Sequence, residues 1–127
     1  MKDAREYLSQ IRCYDMRISA KLAELDSLHR LMLAVGGSDR TMEKIAALQE
    51  EINRDVDDLI DLKRNIVQML RRLSKPEYQT VLELRWLRGW SWEKIAGNLH
   101  YSIGYIYALN SSAHREFSDI LQRQEFF

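Results

Sequence analysis

Two long stretches of the chain place an apolar side chain at every third or fourth position, and this spacing limits what the chain can fold into. The first stretch contains Leu8, Ile11, Tyr14, Ile18, Leu22, Leu25, Leu28, Met32 and Val35. The second contains Ile45, Leu48, Ile52, Val56, Leu59, Leu62, Ile66, Leu70 and Leu73. An apolar stripe with this period is typical of an α-helix and not of a strand. The sequence therefore predicts two helices of about 32 residues, each about 48 Å long.

A short break separates these two helices. Gly36 and Gly37 end a helix easily, and Ser38 or Asp39 can cap the next one. Because the connection is short, we expect the helices to fold back antiparallel as a coiled-coil hairpin over residues 1–73.

Further apolar residues lie off the main stripe of the hairpin: Cys13, Met16, Leu31, Leu33, Ile60, Val67 and Met69. They are either scattered surface residues or a second packing face. We favour the packing face, because a two-helix hairpin alone buries little apolar surface for its length. We expect these residues to pack on the C-terminal module or on a second copy of the chain. In the second case the chain forms a homodimer.

Composition supports an all-α fold and narrows the function. Five Gly and one Pro in 127 residues are too few turn residues for an all-β fold. Nineteen basic and nineteen acidic residues give a net charge of zero, which argues against a nucleic-acid coat protein or a polybasic membrane binder. The single cysteine excludes an intrachain disulfide. With no apolar run near the roughly 20 residues of a membrane span and no signal-peptide pattern, we expect a soluble, cytoplasmic protein that binds no membrane.

A second module is expected over residues 74–127, and it starts with a helix signal. Ser74 stands three residues before Glu77, which is the spacing of a capping box, and Pro76 suits the first turn of a helix. The pattern predicts a helix from Glu77 to the residue before Gly89.

Two more helices are expected after this one. Ser91 can cap a short helix over residues 92–99, and Ser102 can cap a longer helix from 103 to about 121. A short helix, a tight turn and a longer capped helix form the layout of a helix-turn-helix. The core positions predicted to hold it together are Trp92, Ile95, Leu99, Ile106 and Leu109, with Ala96, Ala113 and Phe117 on the same inner faces.

The residues of this module carry a family resemblance. The segment Ser91-Trp92-Glu93-Lys94-Ile95-Ala96-Gly97-Asn98-Leu99, with Tyr101-Ser102 and Ile106-Tyr107 after it, resembles the fourth region of bacterial sigma factors. It is more closely similar to phage and prophage regulators of the ArpU/RinA type, which join a helical segment to a sigma-like helix-turn-helix. The resemblance implies a prophage transcriptional regulator that binds double-stranded promoter or operator DNA, with RNA polymerase as a second implied partner.

The start of the predicted recognition helix departs from the sigma pattern. Ile103, Gly104, Tyr107 and Ala108 stand where Arg, Glu or Gln are usual, and none of them offers the bidentate pairing that reads guanine or adenine. His100 stands where a glycine is usual. The module carries six basic and six acidic residues, so we expect weak DNA binding unless these charges are segregated or the protein dimerises.

Polar side chains on the outer side of the last helix are the predicted DNA contacts: Ser102, Tyr105, Tyr107, Asn110, Ser111 and His114. The predicted phosphate contacts are Arg85, Arg88, Lys94 and Arg115. For both sets the alternative is an ordinary solvated surface. A symmetric dimer would place two recognition helices on half-sites about one helical turn, or a multiple of it, apart.

Catalytic and metal-binding functions have little support. The three histidines are His29, His100 and His114, and they fall on three separate predicted elements. The acidic run contains Asp55, Asp57, Asp58 and Asp61. On a helix we expect this run to occupy a solvated outer face, without the loop of a calcium site. We therefore predict no enzyme, no bound metal and no cofactor.

Two other functions fit the same predicted fold. The apolar start of the recognition helix suits an adaptor or anti-activator that docks on polymerase or on a sigma factor. Small terminase subunits also join a helix-turn-helix to a helical hairpin, although their DNA-binding part more usually comes first. Trp90 follows the turn glycine and either fills a gap between this module and the hairpin or anchors a protein partner.

Overall fold

The computed structural model describes residues 3–125, and its regular structure is helical. The helices are α1 (Ala4–Val35), α2 (Asp39–Leu70), α3 (Pro76–Leu82), α4 (Trp92–Leu99) and α5 (Ile103–Glu125). One stretch of π-helix, Glu83–Leu87, continues α3. Residues 3–125 contain no β-strand, so the predicted all-α fold is confirmed. None of the helices in this range combines the length and the apolarity that crossing a membrane requires.

Packing divides the chain into two compact units. The terminal unit joins the chain up to Ile11 with the chain from Leu62 onward, and the hairpin unit is Arg12–Asp61. The division crosses both long helices, whereas the sequence places a domain boundary between residues 73 and 74. The first turns of α1 belong to the terminal unit because Ala4 and Leu8 are buried there.

The turn of the hairpin has the local signals that the sequence predicts. Gly36 ends α1 in a left-handed conformation with φ of 81°, which favours glycine. Ser38, and not Asp39, caps α2, since its hydroxyl accepts a hydrogen bond from the backbone N–H of Thr41 at 3.2 Å.

A charged pair lies in the apolar stripe of the hairpin unit. Asp55 is only 8% exposed, and its Oδ2 lies 2.7 Å from Lys21 Nζ. Arg17 and Glu51 flank the pair, at 3.9 Å from Asp55 and 3.8 Å from Lys21. The expectation that the whole acidic run faces solvent is therefore wrong for Asp55, because the lysine compensates the loss of its hydration. These contacts also show that α1 and α2 run antiparallel, because the earlier residue of α1, Arg17, meets Asp55, whereas Lys21 also reaches back to Glu51.

The first turns of α1 pack against α5 in the terminal unit. The backbone N–H of Ala4 donates to Ser118 Oγ at 3.0 Å, and the ring centroids of Tyr7 and Phe117 are 6.2 Å apart. Phe117 and Leu8 are fully buried. Burial also raises the pKa of the Tyr7 hydroxyl, because the phenolate is disfavoured away from water.

The capping box predicted at the start of α3 is wrong. Lys75 occupies the capping position and makes no side-chain hydrogen bond there. Ser74 instead donates its backbone N–H and its hydroxyl to the carboxylate of Glu116, with Oγ 2.8 Å from Oε2. A charged acceptor on α5 thus replaces the local capping partner. Pro76 does occupy the first turn, as predicted.

The apolar residues off the main stripe divide between the two units. In the terminal unit Met69 is fully buried and Val67 is half-buried. In the hairpin unit the others stay exposed within the single chain: Cys13, Met16, Leu31, Leu33 and Ile60. Among these residues, those near the C-terminal end of α2 therefore pack within the chain. Packing of the others against a second copy of the chain stays a prediction.

Replacing Asp55 by Ala is expected to destabilise the protein by about 2 kcal/mol, because Lys21 then keeps its charge in the stripe with only the more distant and exposed Glu51 beside it. The double variant Lys21→Leu, Asp55→Leu should recover this loss. Asp58→Ala removes an exposed carboxylate from the same run and should change stability by less than about 0.5 kcal/mol. Urea unfolding followed by circular dichroism measures all three. Equal effects of the two alanine variants would contradict the structural role of Asp55.

Candidate nucleic-acid interface

A small apolar core holds α3, α4 and α5 together. Its buried residues are Val81, Ile95, Ala96, Ile106 and Leu109, and Tyr78, Leu84, Trp90, Trp92 and Leu99 pack partly buried around them. The five predicted core positions of the helix-turn-helix all belong to this cluster. Trp90 also packs there, in the core of the C-terminal module itself, and the predicted role in a gap between this module and the hairpin stays a prediction.

A serine cap defines the start of α4, and a second serine cap defines the start of α5. The hydroxyl of Ser91 accepts from the backbone N–H of Lys94 at 3.1 Å, and that of Ser102 accepts from Tyr105 at 3.1 Å. Both caps are as predicted, and each satisfies an N–H that the helix itself leaves without a partner. Ser102 is therefore a structural cap first, with its own hydroxyl proton left to donate.

The turn between α4 and α5 depends on one left-handed residue. His100 has φ of 61°, and the N–H of Tyr101 after it donates to the carbonyl of Ala96 at 3.0 Å. This is the closing bond of a helix C-cap in which glycine is usual. A side chain at this φ strains the backbone by roughly 1 kcal/mol.

The first half of α5 presents an aromatic outer surface. Tyr105 and Tyr107 are 46% and 47% exposed, and Ile103 is 38% exposed. Tyr105 packs on Tyr101 with ring centroids 4.7 Å apart, and Tyr107 meets the edge of Trp92 at 5.6 Å. These contacts hold both tyrosines in place while leaving about half of each side chain in solvent.

The predicted contacts farther along α5 line a cleft. We call it the tryptophan cleft; its volume is about 360 Å³, and its walls are Arg5, Arg85, Trp86, Trp92, Asn110, Ser111 and His114. Ser111 is exposed at its rim, whereas Asn110 and His114 are half-buried. Within residues 3–125, Asn110 Oδ1 is the buried side-chain oxygen or nitrogen that has no hydrogen-bond partner.

His114 is held as a neutral imidazole. The indole N–H of Trp86 donates to His114 Nε2 at 3.3 Å, which requires a lone pair on that nitrogen. Burial lowers the pKa of His114, and the positive charge of Arg5 lowers it further, while Asp3 opposes these effects. With Nε2 as the acceptor, the proton of the neutral ring is on Nδ1.

The predicted phosphate contacts differ in their environments. Arg85 is engaged inside the motif: its Nη1 donates to the carbonyl of Trp90 at 3.0 Å and its guanidinium lies 4.5 Å from the Trp92 ring centroid. Lys94 extends over the Trp90 ring at 4.3 Å. Two more arginines are exposed on the surface: Arg88, which lies 3.8 Å from Glu83, and Arg115 on α5.

Two wall residues of the cleft, Arg5 and Trp86, are not predicted as site residues from the sequence. Arg5 belongs to the first turn of α1 and reaches the cleft only because that turn packs on α5. Trp86 lies in the π-helical stretch, where the N–H of Arg88 donates to the carbonyl of Glu83 at 3.1 Å. The apolar spacing of residues 77–88 predicts a plain α-helix, and the structure differs from it by one extra residue in this turn.

Comparison with known families shows where the chain belongs. Residues 33–118, more than half of the chain, match the model of a family described as a protein of unknown function, DUF1492. The chain belongs to the DUF1492 family. The DUF1492 match runs from the end of α1 into α5 and contains all of α2, α3 and α4. No curated protein and no solved structure matches the chain significantly.

Replacing His100 by Gly should stabilise the DUF1492 chain by about 0.5–1 kcal/mol, because glycine adopts the left-handed conformation without strain. Asn98→Gly is the matched control: Asn98 is exposed inside α4, and glycine there should destabilise by a similar amount. Thermal melts followed by circular dichroism test the pair. A loss of stability in both variants would show that the turn is not strained.

The stability of the DUF1492 chain should fall as the pH drops below about 6.5. The folded pKa of His114 lies below its ordinary value of 6.5, so the unfolded chain binds the proton more readily. The stabilisation that neutral His114 contributes is complete above the pKa of this residue in the unfolded chain. It is lost as the pH falls through the pKa of His114 in the folded chain. His114→Gln can still accept from Trp86 but does not titrate, so its melting temperature should fall less between about pH 7.5 and pH 5.5. Equal falls in both proteins would contradict a neutral His114.

Proposed function

We propose that this protein binds double-stranded DNA through its helix-turn-helix, as a transcriptional regulator of the ArpU/RinA prophage type that its C-terminal segment resembles. The observation that supports this most is the first half of α5, which is capped at Ser102, fixed by a buried face and exposed on the opposite face. A helix presented in this way suits insertion into a major groove. Such a regulator would act in the cytoplasm.

The exposed side chains favour a particular kind of base contact. Tyr105, Tyr107 and Ser111 carry hydroxyls that can bond to phosphates or to base edges. Ile103 and the tyrosine rings suit apolar contact with the methyl group of thymine. Since no long basic or amide side chain stands beside them at the start of α5, we expect recognition to depend on thymine positions and on DNA shape.

Affinity in this proposal comes from a few phosphate contacts and from dimerisation. Arg88, Lys94 and Arg115 are exposed and can reach phosphates on the outer surface, whereas Arg85 lies half-buried in the wall of the tryptophan cleft. Three such contacts per chain give modest affinity. A homodimer formed through the hairpin would double them and place two copies of α5 on neighbouring half-sites.

A second candidate function has one observation in its favour. The aromatic and apolar character of the exposed face at Ile103, Tyr105 and Tyr107 also suits a protein partner, because tyrosine is enriched at interface centres. In that case the chain would act as an adaptor or anti-activator of RNA polymerase or of a sigma factor, without reading DNA.

The DNA-binding proposal predicts salt-sensitive binding to a promoter fragment upstream of the protein's own operon, measured by fluorescence anisotropy from about 50 to 200 mM salt. Lys94→Ala and Arg115→Ala should each weaken binding and lower the slope of log K against log salt by about 1. Arg40→Ala removes an exposed arginine from the start of α2 and should leave the slope unchanged.

No binding to any such fragment at about 50 mM salt would refute the DNA-binding proposal. A pull-down from nuclease-treated host lysate then tests the second candidate. Recovery of polymerase subunits in that experiment, lost on Tyr105→Ala but not on Arg40→Ala, would support the adaptor.

A further inference from the structure

The geometry points to a phosphate-binding site in the tryptophan cleft, with Arg5, Arg85 and Ser111 as the groups that hold the phosphate. The phosphate is either a DNA backbone diester or a free monoester such as a nucleotide. Only the DNA form of this inference rests on the proposed function. The site lies beside α5 and is distinct from its exposed aromatic start.

The charged residues that line the cleft are all positive. Of its seven lining residues two are arginines and none is acidic. None of the ion pairs within residues 3–125 uses Arg5 or Arg85. Asp3 caps α1 by accepting from the N–H of Glu6 at 2.9 Å but keeps its charge, and together with Asp119 and Arg115 it lines an adjoining groove. Arg5, Arg85 and Arg115 still outnumber these two carboxylates, so the net charge favours an anion.

The guanidinium of Arg85 is held by the fold and keeps donors to spare, while for Arg5 the backbone turn is anchored. Arg85 uses one N–H on the carbonyl of Trp90, which leaves four of the five that a guanidinium carries. The contact with the Trp92 face fixes the plane of its guanidinium. The backbone bond from Ala4 to Ser118 anchors the turn of α1 that carries Arg5. A fixed guanidinium fork binds phosphate oxygens better than a mobile point charge does.

The cleft offers further donors for phosphate oxygens, namely Ser111 at the rim and the Nδ1–H of neutral His114. Asn110 Oδ1 is a buried acceptor without a partner, but it is sealed from solvent and is therefore not a contact for the ligand. The cleft is larger than one phosphate group, so the rest of the ligand can lie along the tryptophans.

The three tryptophans provide a direct readout. Trp86 and Trp92 line the cleft, and Trp90 does not, so its indole N–H signal serves as an internal control. Inorganic phosphate titrated at constant ionic strength against chloride should shift the Trp86 and Trp92 indole signals in a ¹⁵N–¹H spectrum, with saturation, and leave Trp90 in place. Arg5→Ala and Ser111→Ala should each weaken this binding, Arg5→Ala by roughly tenfold. Arg123→Ala, at the far end of α5, should not.

Two further measurements separate the sources of the phosphate. If Arg5→Ala also lowers the salt slope of promoter binding by about 1, the cleft takes a DNA phosphate. If it abolishes the indole shifts caused by adenosine monophosphate but leaves DNA binding unchanged, the cleft takes a free phosphate. Either result supports the site.

Absence of a saturable shift in the Trp86 and Trp92 signals, or shifts of equal affinity in wild type and Arg5→Ala, would overturn the phosphate site. Arg5 is exposed, so its alanine variant should fold, and an unchanged melting temperature checks this. Failure to bind any DNA while the phosphate shifts persist would refute the proposed function alone.

Discussion

Burial of one face of α5 is the constraint on which the terminal unit depends. Its inner side chains are Ile106, Leu109, Ala113, Phe117, Ile120 and Leu121, all of them buried. At one end this face packs on α4 and α3, and at the other it packs on the first turns of α1. Because a helix buried on one side must expose the other, the same packing presents Tyr105 and Tyr107 to solvent and forms the tryptophan cleft along the edge.

The terminal unit thus offers two surfaces of different chemistry on one helix. The start of α5 is aromatic and nearly uncharged, which suits groove contacts or a protein partner. The tryptophan cleft beside it carries two guanidiniums and suits phosphate. In a DNA complex the first surface would contribute specificity and the second affinity, and this combination would offset the zero net charge of the chain.

The hairpin unit shows a compromise between stability and specificity. A lysine and an aspartate occupy its apolar stripe, where two leucines would bury more apolar surface. We interpret the Lys21–Asp55 pair as a device that fixes the register of α1 on α2, since a slipped hairpin would separate the charges. The apolar residues still exposed on this unit, such as Leu33 at 89% and Val35 at 74%, are consistent with the dimer predicted from the sequence.

Features that depend on near neighbours in the chain can be predicted from the amino-acid sequence. Helix positions follow from apolar spacing, and the ends at Gly36, Ser91 and Ser102 follow from hydrogen bonds that span three or four residues. Partners that lie far apart in the chain are apparent only in the folded structure. Ser74 pairs with Glu116, 42 residues away, instead of capping α3, and Arg5 reaches the cleft of a motif that starts some 80 residues later. No local pattern encodes such partners, because they depend on which helix faces meet when the apolar stripes are buried together.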